Sequence, residues 1–452
     1  MSIFNKLFGG KSDKDDSAKS TGASDNQGGR YNTVVFGRYT DCNKDVLQLD
    51  NWTKSLKAFG EKRYVDSYEY FLNYIKDRSI DNVKVTRNGD AVDFELIQGS
   101  KRIVGRGDSK AFVAEASIAI MEKESIPVMR KLMALNFGLK YSKFALNDSA
   151  LCMKYSSHSI DASPSKLYAG LRELSRKADQ QDDILLSEFS SLRQIDTEHI
   201  VPITEEQRTV KYDCLMGWIN ATKEELAKLD HEKLAGGISF LLLDLTYKID
   251  YLICPQGVLT DAFERIQTLF FKKDETSTAE RNTKIIAEFD KLLAQPKEKI
   301  LEGLYDVKCT FGIANAATHK TVMDMMFKER EKVAWYRDNG YPHIAEAVYG
   351  YMVSYAFFNY GMVYPVTNIL NITMHVLNPE IYLKMGDKNG FINPNKTLNG
   401  KSIIRAINEI ISFAQKDYPY ANFNTGTLKF TDASRFIDSL IVELDKIDLR
   451  KK

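Results

Sequence analysis

The spacing of apolar positions changes character along this chain. In "EKRYVDSYEYFLNYIKD" the residues Tyr64, Tyr68, Phe71, Leu72 and Ile75 fall three and four apart, which predicts one face of a helix. Directly afterwards "NVKVT" and "AVDFELI" alternate with period two. The Arg87-Asn88-Gly89-Asp90 link between them carries an Asn-Gly pair suited to a tight type I′ hairpin. Gln98-Gly99 turns the chain towards "RIVG", and "AFVAEASIAIM" reads as a further strand, although its alanines leave helix open. Pro127 then starts a helix with a Val128, Leu132 and Leu135 stripe, and Gly138 is expected to stop it in the left-handed conformation. "YSKFAL" and "ALCMKYS" flank Asn147-Asp148-Ser149 as a hairpin, and Ser163-Pro164 opens a long helix with Leu167, Leu171, Leu174 and Ala178 along one side.

From Pro202 onward the spacing is helical. Thr204 to Gln207, Thr222 to Glu225 and Ser277 to Glu280 each have capping-box spacing, in which a hydroxyl and a carboxylate or amide satisfy the free amides of a helix start. Ile403, Ile404, Ile407, Ile410 and Ile411 form one apolar face, and Phe436, Ile437, Leu440, Ile441 and Leu444 another. There is no repeat of fixed period. The expected organisation is an α+β sandwich over residues 60–195 and an all-α helical domain over 203–452, joined near Ile200 to Thr204. Residues 1–33 are expected to be a disordered tail, because 9–30 offer no side chains for a core beyond two alanines. At its start Ile3, Phe4, Leu7 and Phe8 share one face of a short amphipathic helix, a candidate for docking to a membrane or partner.

Composition narrows the function classes. The 62 basic and 61 acidic side chains of the 452 residues nearly cancel, so no global field favours nucleic acid. Five scattered cysteines without a CxxC pair suit a reducing cytoplasm, and the N-terminal apolar run is too short for a secretion signal. No charged residue lies between Glu346 and Glu380, yet five tyrosines from Tyr349 to Tyr364, several asparagines, His375 and Pro365 argue for buried helices instead of a membrane span.

Candidate chemistry is sparse. "NKLFGGKS" puts Asn5 where a phosphate-binding loop needs its first glycine, and "GRGDSK" lacks the third glycine of a dinucleotide loop. "GDKNGFIN" would place Met385 and Lys396 at calcium-ligand positions. The six histidines make no metal-binding pair; His343 and Glu346, one turn apart, read as a solvated surface pair. There is no GxSxG, and Cys254 beside Pro255 reads as a buried thiol. Asp179, Asp182, Asp183 and Glu188 on the long helix read as its solvated side. Tyr349, Tyr351, Tyr355, Phe357, Phe358, Tyr360 and Tyr364 are the richest cluster of the helical half and suit a core or a groove. No catalytic residue, cofactor or metal is expected.

The order of helix, strands, helix, hairpin and helix, with "RKLMALNFGLKYSKFALNDSALCMKYS" followed by the 163–190 helix, resembles the secretion-chaperone-like fold of type III secretion chaperones and YbjN-type bacterial proteins. The resemblance covers roughly residues 60–195. It implies a bacterial, cytoplasmic, non-catalytic module that often dimerises and binds a protein or peptide partner, as a chaperone or scaffold. On that basis the sheet and hairpin would receive an extended segment, with Phe144, Leu146, Leu151 and Met153 divided between core and contact face. The alternative is an enzyme or small-ligand-binding protein with a pocket around Tyr351, Tyr355, Tyr360 and Tyr364 in the helical domain.

Overall fold

The computed structural model describes Val34 and residues 36–451. The expected tail helix at Ile3 to Phe8, and the tail itself, lie outside the described residues. Two helices, α1 (Val46–Gly60) and α2 (Tyr64–Ile75), precede four strands, β1 (Val83–Asn88), β2 (Ala91–Gln98), β3 (Lys101–Asp108) and β4 (Ala111–Met121). Helix α3 (Ile126–Phe137), strands β5 (Ser142–Asn147) and β6 (Ala150–His158), helix α4 (Pro164–Glu188) and strand β7 (Leu192–Gln194) follow. The strands form one antiparallel sheet in the order β1-β2-β3-β4-β6-β5, with β7 also paired to β4. Alternation decided against helix at residues 111–121: Phe112, Ala114, Ala116 and Ile118 all point into the core, whereas Val113, Glu115 and Ser117 do not.

One sheet face packs on α2 and α4, with Tyr68, Phe71, Leu72, Leu171 and Leu174 against Phe94, Ile103, Phe112 and Met153. The other face carries cross-strand ion pairs, Arg106 to Asp93 at 3.0 Å and Lys154 to Glu115 at 3.1 Å. Such a face is solvated, which explains why only the α4 side reads as continuous core.

Two local turns differ from their expected geometry. Only Gly89 of the β1-β2 turn has positive φ (58°), so the link lacks the two left-handed residues of a type I′ turn; Asn88 is itself paired, with Ala91. Gly138 has φ −86°, because α3 ends in ordinary helical geometry with Asn136 bonding across to Phe144.

The second half comprises α5 (Glu205–Leu226), α6 (Ala235–Leu252), α7 (Gly257–Phe271), α8 (Thr278–Leu293), α9 (Lys297–Glu302), α10 (His319–Asp338), α11 (Pro342–Asn359), α12 (Tyr364–Leu377), α13 (Pro379–Lys384), α14 (Gly400–Ala414) and α15 (Ala433–Asp445). Both capping boxes at Thr204 and Ser277 form. Thr222 starts nothing: it lies in the penultimate turn of α5, where the preceding residues are already helical and leave no free amides to cap. The half is not all-α, since β8 (Ile200–Val201) pairs with β9 (Asp306–Val307) and β10 (Asn315–Ala316) with β11 (Tyr360–Gly361). These short links pair backbone groups of connecting segments that lie mostly at the surface.

Helices α6 and α11 form the centre of this half, with α10, α8 and α12 around them. Among the described residues no helix is long and apolar enough to cross a membrane. The run from Glu346 to Glu380 divides into α11 and α12, with Pro365 in the first turn of the latter, where a missing amide hydrogen costs nothing. The two cores exchange one side chain each. Phe36 joins the helical core, its ring 4.6 Å from that of Tyr382, while Phe311 packs beneath Tyr168 of α4 in the sheet core.

Candidate functional site

Between the two cores runs a cleft of about 950 Å³. Its walls come from α4, α6, α7, α11, α12, the 310–315 segment and residues 36–46, a strap that the hydrophobic pattern left unassigned. The strap is stitched to both halves. The Gly37 amide donates to the Tyr251 carbonyl at 3.0 Å, and Arg38 donates to Asp250 at 2.6 Å and to the Pro255 carbonyl at 2.6 Å, all at the end of α6. Tyr39 then donates to Asp77 beside α2 at 2.6 Å, and Asn43 to the Met362 carbonyl at 2.6 Å. Short, polar and irregular, such a segment carries no period to read.

Of three neighbouring carboxyl groups on α4, Asp179 lines the cleft, whereas Asp182 and Asp183 stand outside its lining. Asp182 is fully buried and pairs with the equally buried Lys101 at 2.9 Å; Lys101 also donates to the Ile195 carbonyl. Asp179 accepts from the Ser100 amide (2.8 Å), the Ser100 hydroxyl and Gln98, and Asp183 accepts from Tyr305 at 3.0 Å. Gly99, at φ 55°, lets the backbone lie against Asp179: a Cβ there would stand 2.1 Å from its carboxylate. Burial, and next the charge of Asp182, push the Asp179 carboxyl up to about 6 and that of Asp183 up to about 7. Burial also raises Asp182, against the pull of Lys101. The solvated face expected for this cluster is therefore confined to Glu188, which pairs with Lys131. Apolar spacing on α4 gave no hint that Lys101, on a strand, would supply a counter-charge inside the core.

Another part of the lining is aromatic. Tyr251 and Phe357 stack at 4.2 Å, and Phe358, Tyr360 and Tyr364 continue the wall. Of the four tyrosines expected to form a pocket, Tyr360 and Tyr364 line the cleft. Tyr351 and Tyr355 pack behind it with Tyr247, at ring separations from 5.2 to 6.0 Å. Their phenols are raised by burial, so they are neutral at physiological pH. His343 turns away from Glu346 to Glu225, at 3.2 Å. Among the described residues no cluster of histidine, cysteine, aspartate or glutamate could hold a metal ion, and all five cysteines are free thiols.

The hairpin residues are placed differently from a contact surface. Phe144 is 6% exposed and Leu151 and Met153 are fully buried, so these three belong to the core; Leu146 is 39% exposed. The β5 edge is also closed. The Asn136 side chain accepts from the Phe144 amide and donates to its carbonyl, and Glu173 accepts from the amides of Lys140, Tyr141 and Ser142. An added strand would have to displace these bonds. One exposed apolar stripe lies on α3, where Ile126, Met129, Met133 and Phe137 stand along one side and Phe137 is 95% exposed.

No family model matches this chain, and no curated protein or solved structure matches it significantly.

Proposed function

We propose that this protein is a non-catalytic binding protein whose ligand site is the cleft between the sheet core and the helical core. The observation that carries the reading is the cleft itself: about 950 Å³, walled by both cores and lined by aromatic rings, side-chain amides and guanidinium groups. Ligand sites favour such junctions, where apolar walls supply burial and a few polar groups fix orientation. Gln256, Gln267, Asn359, Asn368 and Asn371 line it together with the aromatic wall. The raised carboxyls of Asp179 and Asp183 are the kind of group that enzymes use for proton transfer. Both are engaged in hydrogen bonds to the protein's own Ser100 and Tyr305, which supports binding over catalysis.

Fragment soaking of crystals of the full chain tests this. Hits are expected against Phe358, Tyr360 and Gln256, and Asn359→Trp, which adds an indole at an exposed position of the wall, should abolish those nearest α11. A varied library that gives hits only outside the cleft would refute the reading.

A second reading retains protein recognition in the α+β unit and is favoured by the α3 stripe. Its occupant would be a second copy of this chain. The α3 segment is preceded by Glu122-Lys123-Glu124, net negative although Glu122 faces Arg193 at 3.5 Å, and followed by Lys140 and Lys143, so two antiparallel copies would set opposite charges together around the apolar stripe. This self-association fits the secretion-chaperone-like resemblance and predicts a dimer that Phe137→Glu dissolves.

A further inference from the structure

Resting on the cleft as the binding site, we propose that Arg172 and Arg176 of α4 seat an oxyanion head group, such as the phosphate of an organic phosphate ester, with the ligand's apolar body lying along the cleft.

The two residues are one helical turn apart, so they stand on the same side of α4, and both line the cleft. Like charges at this spacing repel, and a neighbouring acid ordinarily offsets them. Here the acids at hand are engaged elsewhere. Asp179 is turned to Ser100 and Gln98, Asp250 holds Arg38, and Asp41 accepts from the Gly312 amide and Lys44, while Glu264 accepts from Gln180 and acts on Arg176 by its charge without forming an ion pair with it. Among the described residues neither arginine has a salt-bridge partner.

Arg172 is nevertheless held in place. Its Nη1 donates to Asn315 at 3.2 Å, and its buried Nε has no partner. Its stem is fixed by Gly312, at φ 62°, where a Cβ would stand 2.8 Å from Arg172 Cγ. The Nε donor of this positioned guanidinium loses hydration and regains no bond within the protein. Arg176 makes no hydrogen bond among the described residues and is open to the water of the cleft, although the surrounding walls and the charge of Arg172 lower its pKa against the opposing charge of Glu264. An oxyanion between the two forks would satisfy the orphaned Nε and relieve the repulsion, in the bidentate geometry that guanidinium groups offer to phosphate. A structural role alone explains Arg172 poorly, since a buried stem without a charged head would pack as well.

Calorimetric titration of the full chain with phenyl phosphate, and with benzyl alcohol as its uncharged counterpart, tests the seat. Phenyl phosphate is expected to bind with one-to-one stoichiometry and more tightly than the alcohol. Arg176→Gln, which changes an exposed side chain and leaves the core intact, should weaken phenyl phosphate about ten-fold or more and leave the alcohol unchanged. Arg172→Gln should do the same. Equal affinity for phenyl phosphate in the native chain and in Arg176→Gln would overturn the anion seat while leaving the cleft as a site. No binding of phenyl phosphate at millimolar concentration would overturn it also. Failure of the cleft reading is seen separately, as fragment hits confined to other surfaces.

Discussion

A carboxyl group is held protonated to unusually high pH at Asp183. Its pKa rises from the ordinary 3.8 to about 7, first through burial and then through Asp182. A folded-state value above the unfolded one means that the folded protein keeps a proton that the unfolded chain has released. Stability from this group is thus full below about pH 4 and is lost as pH rises through about 7. Asp183→Asn keeps an oxygen to accept from Tyr305 and removes the charge. It should be more stable than the native chain at pH 8 by on the order of 1–3 kcal/mol, with the difference vanishing near pH 4, as read by urea unfolding. His375 acts with the opposite sign. Buried against Tyr382, its pKa falls from 6.5 to about 4, so its contribution is present above 6.5 and lost as pH falls towards 4. The variant should therefore show a steeper loss in acid than the native chain. At this scale the sequence was a poor guide: the spacing of the acidic residues on α4 is that of a wet face, and only the approach of Ser100 and Lys101 from the sheet made part of it dry.

Elements were legible where apolar spacing was long and regular. Helices α2, α4, α14 and α15 follow the stripes read from them, because burial of one face decides both helix and orientation. Ser163 caps α4 with its side chain and Pro164 follows in the first turn, as the local chemistry requires. Turns were less legible. Gly138 and the Gly89-Asp90 link take conformations set by neighbouring strands and by Asn136, and a dipeptide carries no record of those neighbours. Helix α3 shows the same limit from the other direction. Its Val128 and Leu132 are buried as the stripe predicts, yet Ile126, Met129, Met133 and Phe137 form a second apolar side that spacing alone does not separate from the first. If that side joins two copies, sedimentation of the native chain should show a concentration-dependent dimer. Phe137→Glu should weaken it by about 2–3 kcal/mol, the transfer cost of a large apolar contact plus a buried charge, without lowering the thermal midpoint of the monomer. A monomer at all concentrations would sink the idea.

For the molecule as a whole, the strap from Phe36 to Lys44 bonds to both halves, which also meet where Phe311 packs on Tyr168 and α4 on α7. Its anchor is Arg38, which bonds to Asp250 and to the Pro255 carbonyl in a half-buried setting. Arg38→Ala should cost about 2 kcal/mol, as loss of charge-assisted hydrogen bonds does. Amide exchange localises the effect: the Gly37 amide, bonded to Tyr251, should exchange faster, while amides of β3 and β4 keep their native protection. Uniform acceleration across the sheet would show that the strap is part of one cooperative unit instead.

From its sequence this chain was bound to form an antiparallel sheet followed by helices. Period-two and helical spacing are local properties, and each must bury its own apolar side whatever lies beyond it. The division between Phe144, Leu151 and Met153 inside and Leu146 outside, the closing of the β5 edge by Asn136 and Glu173, the pairing of Lys101 with Asp182, and the cleft with Arg172 and Arg176 on its wall were decided by tertiary structure alone. Each depends on groups far apart in the chain meeting in a setting of low water content. Their energies come from what surrounds them, which no spacing within one segment encodes.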